Sequence, residues 1–216
     1  ECLTTCEDYL VHIIDLPGTY SLNAFSMEEM VTRDFIINEK PDIIIDVMDS
    51  SNLERNLYLC LQFQELGVPV IAALNMTDEA EAKGIFIDSE HLGEVLGIPM
   101  VKTIGTKGIG LDLLLSLAVR KAMDRTSSVP VRIHYGREVE EHLDSLESLL
   151  KTDEGIVSRY PPRWLAVKLL EKDSAAMKHL EGHGCKESVL KQVRQSILWI
   201  EKHFSMRAVS NLVDLD

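Results

Sequence analysis

Val11–Leu22 reads VHIIDLPGTYSL. Val11, Ile13 and Ile14 are β-branched and favour a strand. Asp15 stands where that strand runs out. Leu16-Pro17-Gly18 then turns the chain, and Gly18 can bring its backbone N–H against a ligand. A carboxylate at a strand end with a glycine turn behind it is a candidate ligand position. Read alone it also fits an ordinary turn, so its neighbours have to decide.

Upstream, Leu3 to Leu10 is a weak strand pattern with Glu7-Asp8 as its turn, expected to pair antiparallel with Tyr9–Ile14. Downstream, Thr19 to Ala24 is polar and irregular, a candidate mobile loop. Ser26 can cap a helix with Glu28 and Glu29 in its first turn. Met30, Val31, Phe35 and Ile36 give that helix an apolar face as far as Asn38. Pro41 ends it. The run IIIDV within Asp42–Val47 is a buried parallel strand. Ser51-x-x-Glu54 has the form of a capping box, and Leu53, Leu57 and Leu61 recur at helical spacing. Gly67 closes the helix. Val68 to Leu74 is a second buried strand, so strand, helix and strand form a βαβ unit.

Asn75-Met76-Thr77-Asp78 follows at that strand's C-terminal end, the edge where open α/β sheets bind ligands. A charged helix comes next, then a helix led by Asp88 to Leu96 and a short strand at Pro99–Val101. Thr103–Gly110, TIGTKGIG, is a glycine-punctuated loop. Leu111, Leu114, Leu115 and Ala118 mark a closing amphipathic helix. Beyond Arg125 no long buried strand is expected. Val139, Leu143, Leu146, Leu149 and Leu150 are helical, Pro161-Pro162 starts a new element, and Val189, Val193, Ile197 and Ile200 define a last long helix. The expected domains are 1–124, an α/β sheet domain, and 129–216, a small all-helical domain, joined by a 125–128 linker of Ser/Thr composition.

The 216 residues are 45% hydrophobic, enough for a core. A formal net charge of −13 disfavours a nucleic-acid binder. One bound nucleotide stays open, because backbone N–H groups and a metal can hold its phosphates. Four cysteines show no disulfide framework and point to a reducing compartment. No apolar run is long enough to span a bilayer and there is no signal peptide pattern. The first residue is Glu rather than Met, which fits a fragment with a further beginning and equally a shortened protein that leans on a partner.

On this reading Asp15–Gly18, Asn75–Asp78 and Ile104–Thr106 share one edge of one sheet. Asp78 can accept from both N1–H and the exocyclic amine of guanine, a pairing adenine cannot match, worth about 1–3 kcal/mol of discrimination. Asn75 can tie the base-binding loops together. Backbone N–H groups near Gly105 and Thr106 can donate to guanine O6. The alternative for Asn75–Asp78 is an Asx turn that caps a helix. His179 and His183, four apart, have metal-ligand spacing, but Gly182 and Gly184 break the helix there. His12 reads as a core or edge residue, Trp164 and Trp199 as core, and Glu138–Glu141 with Asp144 as a solvated face.

DLPGTYSL (Asp15–Leu22), KPDIIIDVMDSSNLERNLYLCLQ (Lys40–Gln62) and VPVIAALNMTDEAEAKGI (Val68–Ile85) resemble the cytosolic part of the bacterial ferrous iron transport protein B family. RYPPRWLAVKLLEKD (Arg159–Asp173) resembles the helical domain that follows the G domain there. The resemblance implies a Ras-like, P-loop GTPase-type sheet domain with a helical domain behind it. It implies GTP and GDP as ligands and Mg²⁺ held by Asp15 through water, with Asp15 and Gly18 as the switch II motif. Asn75 and Asp78 would read guanine, and Ile104, Gly105 and Thr106 would be the fifth motif. It further implies a membrane permease for Fe²⁺ as the attached partner, at the cytoplasmic face of the bacterial inner membrane, and it allows a homo-oligomer.

The sequence departs from the family pattern in four places. No GxxxxGKS or GxxxxGKT phosphate loop occurs in the 216 residues. In the family that loop and the first strand precede the segment where these residues begin, and the strand is central to the sheet. Met76 stands where many GTPases have lysine, and Gly105 where many have serine. Thr19 follows Gly18 where some place a catalytic glutamine, which implies slow hydrolysis. These 216 residues alone are therefore expected to hydrolyse nothing, and a non-hydrolysing regulatory or protein-interaction module is the alternative function.

Overall fold

A computed structural model describes residues 1–22, 26–124 and 133–213, with side chains as far as 204. The chain divides into two compact units, Glu1–Ile133 and His134–Asp216. The expected 125–128 linker and part of the Thr19–Ala24 loop lie outside the described residues.

The first unit opens with an antiparallel hairpin, β1 (Cys2–Cys6) and β2 (Tyr9–Ile13), in the register Cys6↔Tyr9. Glu7 takes the turn at φ 53°. A helix, α1 (Met27–Glu39), follows, then a parallel sheet of β3 (Ile44–Asp49), β4 (Val70–Asn75) and β5 (Met100–Lys102), in that order. α2 (Leu53–Glu65) makes the β3-to-β4 crossover. α3 (Thr77–Ala82) and α4 (Ser89–Leu96) link β4 to β5, and α5 (Leu111–Met123) closes the unit. This is the expected Ras-like α/β arrangement.

Alternation along the strands decides which helix covers which face. Ile71 and Ala73 of β4 join Val101 of β5 in a cluster with Leu114 and Ala118 of α5, and Ile43 and Ile45 pack against it. α2 packs against β3 and β4. On β3 the alternate face carries Met48, fully buried, and Asp46, 6% exposed. Asp46 hydrogen-bonds the buried Cys60 thiol of α2. Burial pushes both groups up, the Asp46 carboxyl to about 7.

Several local expectations are corrected. β2 is not hydrogen-bonded to the parallel sheet, so Asp15–Gly18 follows a strand of a separate two-stranded sheet. α1 buries Thr32, Arg33, Ile36 and Ile37, while Val31 is exposed. Its N-terminus carries a full capping box, Ser26 with Glu29. No box forms at Ser51: Asp49 accepts from Ser51 N–H at 2.8 Å, and a short 3-10 turn precedes α2. The buried face of α2 is Leu59, Cys60 and Phe63, leaving Leu53, Leu57 and Leu61 half-buried.

The second unit is helical throughout its described residues: α6 (Arg137–Leu150), α7 (Glu154–Arg159), α8 (Pro162–Leu170), α9 (Ser174–Lys178) and α10 (Lys186–Val213). α6, α8 and α10 pack on one another through Leu146, Trp164 and Val189, all fully buried. Glu140 belongs to that interior rather than to a solvated face: both its oxygens accept from Arg163, at 2.9 and 3.1 Å. Trp199 is 39% exposed, stacked on His203 with the His142 ring tilted against it, so it is not core. His179 and His183 are not a metal pair: His179 stacks on Tyr160, and His183 Nδ1 meets Asp153 Oδ1 at 2.9 Å.

Candidate functional site

β4 is the most buried strand, with Val70–Leu74 all at or below 2% exposure, and it delivers Asn75 to the C-terminal edge of the sheet. Met76 takes a left-handed conformation at φ 57°, which turns the chain straight into α3 and brings Asp78 into that helix's first turn. β5 runs parallel beside β4, and Thr103 N–H donates to Leu74 O at 2.8 Å, so the loop after β5 leaves the sheet next to Asn75.

Asn75 joins the two loops. Its Oδ1 accepts the Gly105 N–H at 2.9 Å and the Thr103 hydroxyl at 3.3 Å. Thr77 adds a second stitch, its hydroxyl donating to Thr103 O at 3.3 Å. The Gly105–Lys107 turn is pinched at its base by reciprocal Ile104–Ile109 backbone hydrogen bonds. Gly110 permits the exit: at φ +81° a Cβ would lie 2.3 Å from Lys102 O. Because Gly105 N–H is spent on Asn75, the Thr106 N–H is the loop donor left for a ligand carbonyl.

Asp78 lies beside this turn. Its Oδ1 accepts from Glu79 N–H at 3.1 Å and its Oδ2 from Lys107 Nζ at 2.6 Å. The Lys107 ammonium holds the carboxyl below its ordinary range. The cluster offers a carboxylate with two acceptor oxygens and a nearby backbone donor, a set suited to a planar base edge that carries paired donors and a carbonyl. Thr77, Thr103 and Lys107 escape a motif-based reading. A lysine inside a glycine-rich loop was the one signal in the sequence for Lys107.

Asp15 and Gly18 share no hydrogen bond or ion pair with that cluster, and both are exposed. Their turn is anchored to α1, where the Thr32 hydroxyl donates to Pro17 O at 3.3 Å. The segment after it is held rather than loose as far as Leu22. Ser21 Oγ donates to Glu29 at 2.5 Å, and Leu22, fully buried, donates its N–H to Gln62. The Arg55 guanidinium lies 3.5 Å from the Tyr20 ring centre. Among the described residues no group of three His, Cys, Asp or Glu side chains could hold a metal ion. Asp15 alone fits a metal only where other oxygens, such as phosphates and waters, supply the remaining ligands.

Residues 1–118 match the family profile of ferrous iron transport protein B, and residues 135–214 match that of the FeoB cytosolic helical domain. An Fe(2+) transport protein A/Fe(2+) transporter FeoB fusion protein of Porphyromonas gingivalis is 45% identical over 168 residues, 77% of this chain and 20% of that protein. The chain thus spans about a fifth of the length of the curated relatives it matches. The cytosolic domain of the T. maritima FeoB iron transporter, solved in a GDP form, superposes with a TM-score of 0.74 at 32% identity, covering 93% of this chain and 81% of that one. A mutant S. thermophilus NFeoB bound to GDP gives 0.78 at 33% identity, covering 88% of this chain and 71% of that one.

Proposed function

Because the chain belongs to the ferrous iron transport protein B family, we propose that its first unit recognises guanine nucleotide and that the module regulates Fe²⁺ uptake through an attached membrane permease. The observation that carries the reading is the Asn75 bridge to Gly105, which sets the β4 and β5 loops as one surface beside the Asp78 carboxylate. Related proteins solved with GDP support it. Asp78 accepts from guanine N1–H and the exocyclic amine, Thr106 N–H donates to O6, and Asn75 holds the frame.

Asp15 is assigned to Mg²⁺ through water and Gly18 N–H to the terminal phosphate. The metal, when bound with nucleotide, would neutralise phosphate charge. Asp15 would orient a metal-bound water, and Gly18 would offer its N–H from the DLPG turn. Phosphoryl transfer needs positioning and charge stabilisation from a phosphate cradle, and Asp15 and Gly18 supply only a small part of one. Residues 1–124 form the nucleotide domain in this reading, and residues 129–216 the helical domain beside the permease at the cytoplasmic face of the membrane. No helix among the described residues is long and apolar enough to cross a membrane itself.

The test is nucleotide titration of the wild type and Asp78→Asn with GDP, ADP and xanthosine diphosphate. The wild type should prefer GDP. The asparagine variant should turn to xanthosine diphosphate, whose ring carries a carbonyl where guanine has its amine, with a change of about tenfold or more in the ratio. An unaltered ratio removes Asp78 from base recognition.

A further inference from the structure

We infer that Lys107 is an internal competitor for the base-reading carboxylate: its ammonium occupies Asp78 until guanine displaces it, and this exchange sets the affinity of the site for guanine nucleotide. The inference rests on the guanine reading of the site given above.

Both Asp78 oxygens are engaged, Oδ1 by the Glu79 N–H at 3.1 Å and Oδ2 by Lys107 Nζ at 2.6 Å. Guanine presents two adjacent donors that need both oxygens at once. The backbone bond to Oδ1 is local and leaves a lone pair free. The ammonium on Oδ2 reaches over from the β5 loop and stands where the second donor has to come. Lys107 can leave without disturbing the loop. Its side chain is 57% exposed on a flexible stem, while the loop backbone is held separately by Asn75 and by the Ile104–Ile109 pair. The exchange is therefore a side-chain event on a fixed frame. An exposed ion pair of this kind competes by only about two- to fivefold. That is weak enough for a base to displace and large enough to measure. Removing the ammonium would also lower the attraction for an anionic diphosphate, so tighter binding without it cannot come from ligand charge.

Lys107→Met keeps the stem and drops the charge, and Lys107→Arg keeps a charge able to pair with Asp78. Two measurements on the full chain test the exchange. In a carbon-13 titration of the Asp78 carboxyl without ligand, the midpoint should rise in Lys107→Met and stay near the wild-type value in Lys107→Arg. In nucleotide titrations Lys107→Met should bind GDP about two- to fivefold more tightly, with ADP binding no tighter than in the wild type and Lys107→Arg close to wild type. An Asp78 midpoint unmoved by Lys107→Met overturns the inference, because the pair then does not form in solution. So does unchanged or weaker GDP binding by Lys107→Met while Asp78→Asn still trades guanine for xanthine. A wild type and variants that all ignore the difference between GDP and ADP overturn the guanine reading itself, and the exchange falls with it.

Discussion

Asp46 sets a carboxyl against a thiol beneath α2, and its Oδ2 has no hydrogen-bond partner among the described residues. Burial raises its pKa from 3.8 to about 7, with the Cys60 hydrogen bond pulling slightly the other way. The folded state therefore binds this proton where the unfolded chain has released it. Stability from the group is complete below pH 3.8, falls as pH rises, and is gone above about 7. Three pKa units correspond to about 4 kcal/mol, an order-of-magnitude figure. Asp46→Asn should flatten that slope and make the protein more stable than wild type at pH 8, with little difference at pH 4. Urea denaturation at the two pH values checks it, and parallel curves for the two proteins would mean that Asp46 stays ionised in the fold. The motif residues Asn75 and Asp78 were legible in the sequence because their type and position at a strand end carry the chemistry. Asp46 was not, since one acid in an apolar run does not announce a thiol on the next helix. Lys107 was missed for the same reason: a partner 29 residues away is set by the fold.

At the scale of elements, the β-branched runs and their glycine and proline boundaries placed β3, β4 and β5 within about two residues, a normal margin for element ends. Helix faces were less legible. α1 buries Thr32 and Arg33, which no apolar pattern reveals. In the second unit Glu140 of α6 and Arg163 of α8 clasp the two helices, with side chains 12% and 15% exposed. The Tyr135 N–H also donates to Glu140. Glu140→Ala leaves a largely desolvated guanidinium with its main partner gone and should cost about 3–5 kcal/mol. Combining it with Arg163→Met should recover part of that loss, because the stranded charge is then gone too. Denaturant midpoints of the single and double variants decide the matter. A loss below about 1 kcal/mol, the range of exposed pairs, would show that the clasp is solvated.

Across the whole molecule the net charge is −13, and nearly all of that excess, −11, lies in the first unit, where the repulsion concentrates. Raising salt from ~0.01 to ~0.15 M shortens the screening length from about 30 to about 8 Å. The urea midpoint should therefore rise over that range, and a fall would mean that attractive pairs such as Lys172–Glu201, at 2.7 Å, outweigh the repulsion. The same excess of acid works against any polyphosphate ligand, so recognition of a nucleotide by this chain has to lean on fixed hydrogen bonds, as at Asn75, rather than on attraction at a distance. That bond has a further consequence, and it concerns time. The Gly105 amide proton sits in the grip of one side-chain oxygen, near the surface. It can trade with water only in the moments when Asn75 lets go. Its deuterium uptake is thus a clock for the opening of the two loops, and a bound base should slow the ticking at Gly105 far more than at the backbone pair of Ile104 and Ile109.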